Sequence, residues 1–193
     1  MVNMEYIKVL LLVGKKGAGK SEFVNIARDK GIRCYELGDI VKESMMSKGI
    51  EINNENIRSF MIDERKRFGY EIFAKRLYAK VIKEINGKRN GKDNVIIISG
   101  IRSIEEITFF LSKFKHVLIV EIRASDKKRF LRIKKRKKLK EKLSYQDFLK
   151  IEEKEKEVGI EKAIKKADIV IENEGTKEAF KKKTLDVLNF LLN

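Results

Sequence analysis

Residues 14–21 read Gly-Lys-Lys-Gly-Ala-Gly-Lys-Ser and match G-x-x-x-x-G-K-[ST] at every fixed position. The spacing has a physical reason. Wrapping a phosphate needs successive backbone N–H groups turned inward, and glycine reaches such conformations without strain. A helix starting near Gly19 adds the positive end of its dipole. Lys20 can then reach β- and γ-phosphates, and the Ser21 hydroxyl can ligate Mg²⁺. Gly14, Lys15, Lys16, Gly17, Ala18 and Gly19 would form the backbone cradle. The plain alternative is a chance glycine turn carrying a lysine. Context favours the cradle: a β-rich apolar run, Tyr6–Val13, precedes it, and an amphipathic helical pattern, Ser21–Lys30, follows.

Other cations have suggestive spacing. Arg129, Arg132 and Arg136 stand at i, i+3 and i+7, on one helix face. Phosphoryl transfer needs cations around the moving group, because its oxygens carry the charge. A solvated basic helix is the alternative, since 11 of the 16 residues from Lys127 to Lys142 are basic. Arg102 follows directly on a strand end, where α/β sheets bind ligands. Phosphate binding there stands against a structural salt bridge. Cys34 and His116 read as ordinary strand residues, and one cysteine with one histidine excludes an internal disulfide, a Cys-ligated metal and a histidine cluster. The run Glu152–Glu157, with Lys154 and Lys156, reads as a solvated helix with ion pairs.

The elements that must position these residues alternate. Buried-strand patterns occur at Tyr6–Val13, Ile32–Leu37, Asn94–Ser99, His116–Ile122 and Asp168–Glu172. Helical patterns lie between and after them, at Ser21–Lys30, Ile40–Ser47, Asn54–Phe68, Glu71–Asn86, Ile104–Phe114, Lys127–Lys138, Tyr145–Val158 and Lys177–Leu192. Alternation of this kind predicts an α/β fold, a parallel sheet with helices on both faces. Residues 38–90 and 127–165 are helix-rich inserts between core strands, and Lys88–Asp93 is the clearest loop.

The 193 residues suit one domain, and the recurring apolar blocks exclude global disorder. Glycine at 12, no proline and one cysteine exclude collagen and disulfide scaffolds. A net charge of +16 points to polyanionic partners: nucleotides, nucleic acid or an anionic membrane. Nothing resembles a signal peptide, and the longest apolar runs fall far short of the ~20 residues of a membrane span. The expected location is cytoplasmic, without membrane association.

Several segments carry a family resemblance. Gly38-Asp39-Ile40-Val41-Lys42 resembles the Gly-Asp-hydrophobic-hydrophobic-Arg segment of adenylate kinases, and Ser99-Gly100-Ile101-Arg102 their Asp-Gly-hydrophobic-Pro-Arg segment. Residues 167–176, Ala-Asp-Ile-Val-Ile-Glu-Asn-Glu-Gly-Thr, resemble a signature of dephospho-coenzyme A kinases. Order and spacing together resemble an archaeal P-loop kinase-like family related to both, over about residues 6 to 190. The resemblance implies a three-layer P-loop NTPase fold with a five-stranded parallel sheet in the order 2-3-1-4-5. It implies that 38–90 binds the phosphoryl acceptor and that 127–165 is a lid over the donor phosphates. Asn173 and Gly175, in the loop after the fifth strand, would hold the adenine of ATP. Arg129 and Arg132 would be the lid cations. Arg102 would bind the acceptor phosphate, and Arg65 and Arg76, on helices of the first insert, would either touch the acceptor or be surface or ion-pair residues.

Two departures from the kinase pattern stand out. Ser99 occupies the place of an aspartate that helps organise Mg²⁺, and Lys42 that of an acceptor-binding arginine. A lysine cannot grip phosphate in a bidentate fork. In the 2-3-1-4-5 order, Asp39 is expected to be the acidic neighbour of Ser99. It would supply the missing carboxylate or position an acceptor hydroxyl, against the plain role of capping Ile40–Ser47. The expected activity is ATP- and Mg²⁺-dependent phosphoryl transfer to a nucleotide or nucleotide-like acceptor, of the nucleoside monophosphate or dephospho-coenzyme A type. Lys20, Asp39, Arg129 and Arg132 are its candidate catalytic residues. A nucleic-acid-associated P-loop protein, or a slow ATPase acting as a nucleotide-responsive switch, are the rivals.

Overall fold

The structure is a computed structural model that describes residues 6–87, 94–136, 144–157 and 159–192. The expected loop Lys88–Asp93, the end of the basic run beyond residue 136, and the side chain of Arg136 lie outside the described residues.

Five strands form one sheet: β1 (Lys8–Val13), β2 (Arg33–Glu36), β3 (Val95–Ser99), β4 (His116–Arg123) and β5 (Ile169–Glu172). All pairings are parallel and the order is β2-β3-β1-β4-β5. The helices are α1 (Lys20–Asp29), α2 (Leu37–Met46), α3 (Asn54–Phe68), α4 (Ile72–Gly87), α5 (Ile104–Lys113), α6 (Asp126–Arg136), α7 (Tyr145–Glu157), α8 (Ile160–Ile164) and α9 (Lys177–Leu192).

Strand alternation explains the three layers. Leu10, Leu12, Ile97, Val120 and Ile122 face α1 and α9, packing on Phe23, Val24, Phe180 and Leu188. Their neighbours Val9, Leu11, Val13, Ile96 and Ile98 face the other way, onto Phe73, Leu77 and Val81 of α4 and Phe110 of α5. A continuous apolar run is what a strand covered on both faces requires.

The two helix-rich inserts differ physically. Phe60, Phe73, Leu77 and Met45 of the first share one continuous core with the sheet. The second has a small core of its own, Ile133 and Phe148 with Phe130, and Tyr145 stacks on Phe148. Ala163 of α8, at the end of the insert, is buried in the core shared with the sheet and α5. The insert is anchored to the sheet there, while α6 and α7 reach the glycine loop through polar contacts.

Helix α2 departs from expectation. It starts at Leu37 rather than Ile40, directly after β2. Gly38 does not interrupt it. Asp39 is therefore in the first helical turn and is not the cap; Glu36 occupies the cap position without making a side-chain cap hydrogen bond. Helix α8 is a further short element that the sequence pattern did not show. No helix among the described residues is long and apolar enough to cross a membrane.

Candidate active site

The glycine loop runs from the end of β1 to the start of α1 and is squeezed from outside. At Gly17 (φ 80°) an added Cβ would lie 2.9 Å from the Arg129 carbonyl oxygen, and at Gly19 (φ 121°) it would meet the Asn173 amide nitrogen. Positive φ and close backing atoms together require glycine at both positions. On its inner side the loop bounds a cavity of about 130 Å³, lined by Gly14, Lys16, Gly17, Gly19, Lys20 and Ser21 and closed by Arg102 and Ile160. Lys20 Nζ folds back onto the loop, donating to the carbonyls of Gly14 and Lys15, the latter at 3.1 Å. A cradle of this form suits the phosphates of ATP.

Three side chains fix the loop from behind. Arg129 is 1% exposed; its Nη1 donates to the Lys16 carbonyl at 3.1 Å, while both Nη atoms reach Glu152 and Nη2 reaches Asp126. Burial alone would lower the Arg129 pKa, but the hydrogen bonds to Glu152 and Asp126 hold it above the ordinary value. Arg132 donates to the Ala18 carbonyl at 3.0 Å and to the Asn173 carbonyl at 2.8 Å. Asn173 Nδ2 donates to the same Ala18 carbonyl at 2.8 Å. Lys15 extends toward Glu152 and Glu161, at 3.5 and 3.9 Å. Arg129 and Asn173 thus sit beside the loop as its supports, and Gly175 lies in the exposed turn beyond β5.

A second cavity, of about 270 Å³, adjoins the first. Lys20, Ser21, Gly100 and Arg102 line both. The far wall comes from Leu37 and the first insert: Leu37, Val41, Ile57, Met61 and Phe73 give it an apolar side, and Lys42 and Arg65 a cationic one. Arg65 is 8% exposed and pairs with Glu106 at 3.0 Å, and its Nε is buried without a hydrogen-bond partner among the described residues. Glu106 closes a capping box with Ser103 and also accepts from the Arg102 N–H at 2.8 Å. Burial pushes the Glu106 carboxyl up, against the pull of the Arg65 guanidinium.

Two expected residues are not brought to this cavity. Arg76 pairs with Glu64 and donates to Ser44 at 3.3 Å, tying α4 to α3 and α2. Asp39 is exposed and pairs with Lys42 at 3.4 Å. The expectation that Asp39 is the acidic neighbour of Ser99 is corrected here. Strand β2 ends at Glu36, whose register partner on β3 is Ser99, and both line the second cavity with Ser21. The helix started three residues earlier than its pattern indicated, and Asp39 went with it.

The donor set in this corner is hard oxygen: the hydroxyls of Ser21 and Ser99 and the carboxylate of Glu36. That chemistry fits Mg²⁺ arriving with nucleotide phosphates.

Sequence reasoning missed Glu36, Glu106 and Glu152. Glu152 is buried against Arg129, not solvated as the acidic run suggested. A signal was present: it follows the buried Phe148 by four residues, on the same face of α7. The capping pattern Ser103-x-x-Glu106 was likewise readable.

The sheet order, the loop and the flanking cavities define a P-loop protein of kinase-like fold. Residues 10–158 match the P-loop family described as "AAA domain". The UPF0200 protein of Staphylothermus marinus is 34% identical over 185 residues, covering 95% of this chain and 93% of its own. That of Thermoplasma volcanium is 31% identical over 180 residues, covering 93% and 96%. The chain belongs to the UPF0200 family. Among solved structures, TT1252 from Thermus thermophilus superposes with a TM-score of 0.67 at 17% identity, covering 96% of this chain and 98% of its own. Dephospho-CoA kinase from Campylobacter jejuni gives 0.56 at 16% identity, covering 94% and 95%. At these identities the likeness establishes the fold.

Proposed function

We propose that the protein transfers the γ-phosphoryl group of ATP to a nucleotide or nucleotide-like acceptor. One observation carries the reading: a phosphate cradle and a mixed apolar–cationic cavity meet at Lys20, Ser21, Gly100 and Arg102. Donor and acceptor can therefore be held on either side of one point, where an acceptor oxygen attacks the γ-phosphorus and ADP leaves. A hydrolase needs only the first cavity.

The loop amides of residues 14–19 would hold the phosphates, with Lys20 turning from its loop carbonyls toward them. Ser21 would ligate Mg²⁺, which when bound neutralises charge on the phosphate oxygens. Residues 38–90 would form the acceptor site, its apolar wall taking a flat base and Lys42, Arg65 and Arg102 an anionic group. The buried Arg65 Nε is a donor that an acceptor oxygen would satisfy. Residues 127–165 would cover the donor side, with Arg129 and Arg132 acting through the loop they support. An acceptor phosphate is already anionic and needs no strong base; a ribose hydroxyl would gain from one.

A bisubstrate analogue, two nucleosides joined through a polyphosphate, tests the reading. It is expected to bind more tightly than ATP and to protect both 129–136 and 57–65 from hydrogen exchange. Protection of 129–136 by an oligonucleotide, with steep salt dependence and none from the analogue, would replace this reading with a nucleic-acid function.

A further inference from the structure

We propose that Glu36 is the carboxylate that positions the divalent cation bound with ATP, acting from β2 through the ion's hydration shell, with Ser99 beside it as a neutral hydroxyl. The inference rests on the ATP reading above.

Register places the two residues side by side: Glu36 on β2 pairs with Ser99 on β3. Alternation fixes their face. Cys34, two residues before Glu36, contacts the Val24 carbonyl of α1, with Sγ at 3.8 Å. Ile97, two residues before Ser99, packs in the same cluster as Val24 and Phe23 of α1. Glu36 and Ser99 therefore point to the α1 side of the sheet, and the first turn of α1 carries Lys20 and Ser21. All four residues line one cavity.

The other carboxylates nearby are accounted for. Glu106 is 1% exposed and is held by Arg65 and by the backbone of Arg102 and Ser103. Asp39 is paired with Lys42 and does not line the cavity. Glu36 stands at the cap position of α2 yet makes no cap hydrogen bond, so capping does not explain it. A carboxylate in a phosphate cleft repels the ligand unless a cation lies between them. With a divalent ion in place the sign reverses, and the same charge becomes attractive.

That sign reversal makes the test specific. Binding of ADP is measured by calorimetry with excess EDTA and with Mn²⁺, and Mn²⁺ occupancy of the protein–ADP complex by electron paramagnetic resonance. Glu36→Gln is expected to bind metal-free ADP as tightly as the wild type or more tightly. Its affinity for Mn²⁺ in the ADP complex should fall about 10-fold or more, the scale for loss of an outer partner of a bound metal. Adding Ser99→Asp to that variant should recover Mn²⁺ affinity by returning a carboxylate from the adjacent strand. Unchanged Mn²⁺ affinity in Glu36→Gln overturns the proposal, and so does a parallel loss with and without metal, which would mark a structural role. If the wild type itself binds ADP neither with nor without Mn²⁺, the ATP reading fails and this inference falls with it.

Discussion

Arg129 and Glu152 form a buried, two-pronged ion pair behind the phosphate cradle, with both Nη–Oε distances at 2.6 Å. The pair joins α6 to α7, and the same guanidinium holds the Lys16 carbonyl. Charge, packing and loop position are therefore linked through one side chain, which also lies over the Phe148 ring.

Glu152→Ala is expected to destabilise the protein by about 3 kcal/mol, because it leaves a buried guanidinium with Asp126 as its remaining carboxylate. Urea unfolding measures this. ATP affinity should fall as well, since the loop loses its support. Were Arg129 a direct phosphate ligand, releasing it from Glu152 would instead raise ATP affinity.

Lys20→Ala should leave the fold intact and lower phosphoryl transfer by roughly 10²–10³-fold, the scale for removing one positioned charge-stabilising donor. Steady-state kinetics and a thermal melt together check it. Unchanged turnover in the folded variant would remove the cradle from the mechanism.

Arg102 and Arg76 should separate cleanly. Arg102 lines both cavities, so Arg102→Ala should raise the acceptor KM by about 10-fold or more, the scale of losing a charge-assisted hydrogen bond of about 1.5–3 kcal/mol, with little change in stability. Arg76 ties α4 to Glu64 and Ser44, so Arg76→Ala should lower the melting temperature and leave the acceptor KM nearly unchanged. The reverse pattern would move the acceptor to the other side of α4.

Glu64 links acid sensitivity to the first insert. Burial raises its pKa, but hydrogen bonds from Lys48 and Arg76 outweigh this and hold the carboxyl below its usual value. Its contribution to stability is thus present above about pH 4.3, the ordinary glutamate value, and lost as pH falls through the lower folded pKa. Glu64→Gln should be less stable at neutral pH and show a shallower loss of stability in acid. Urea midpoints measured from neutral pH down to about pH 3 would show whether the two curves converge.

The sequence was legible where one local signal sufficed. Apolar runs of Val9–Val13 type placed β1, β3 and β4, and the glycine spacing placed the loop between β1 and α1. It was less legible where two distant segments meet. Glu36 and Ser99 are 63 positions apart and become neighbours through strand register, while the Leu37 helix start that moved Asp39 outward has no proline or side-chain cap, and its one charge signal, Asp39 in the first turn, reads equally as a cap for a start at Ile40. Arg129 had the spacing of a ligand-facing residue, but its partner Glu152 lies on another helix, and the two meet beside the Phe148 ring.

Transfer of label from [γ-³²P]ATP to a panel of nucleoside monophosphates and dephospho-coenzyme A is the decisive measurement. A labelled acceptor is expected, dependent on Mg²⁺ and absent with Lys20→Ala. Folded protein that binds ATP, labels no acceptor and releases only inorganic phosphate would show that the second cavity does not receive a phosphoryl group.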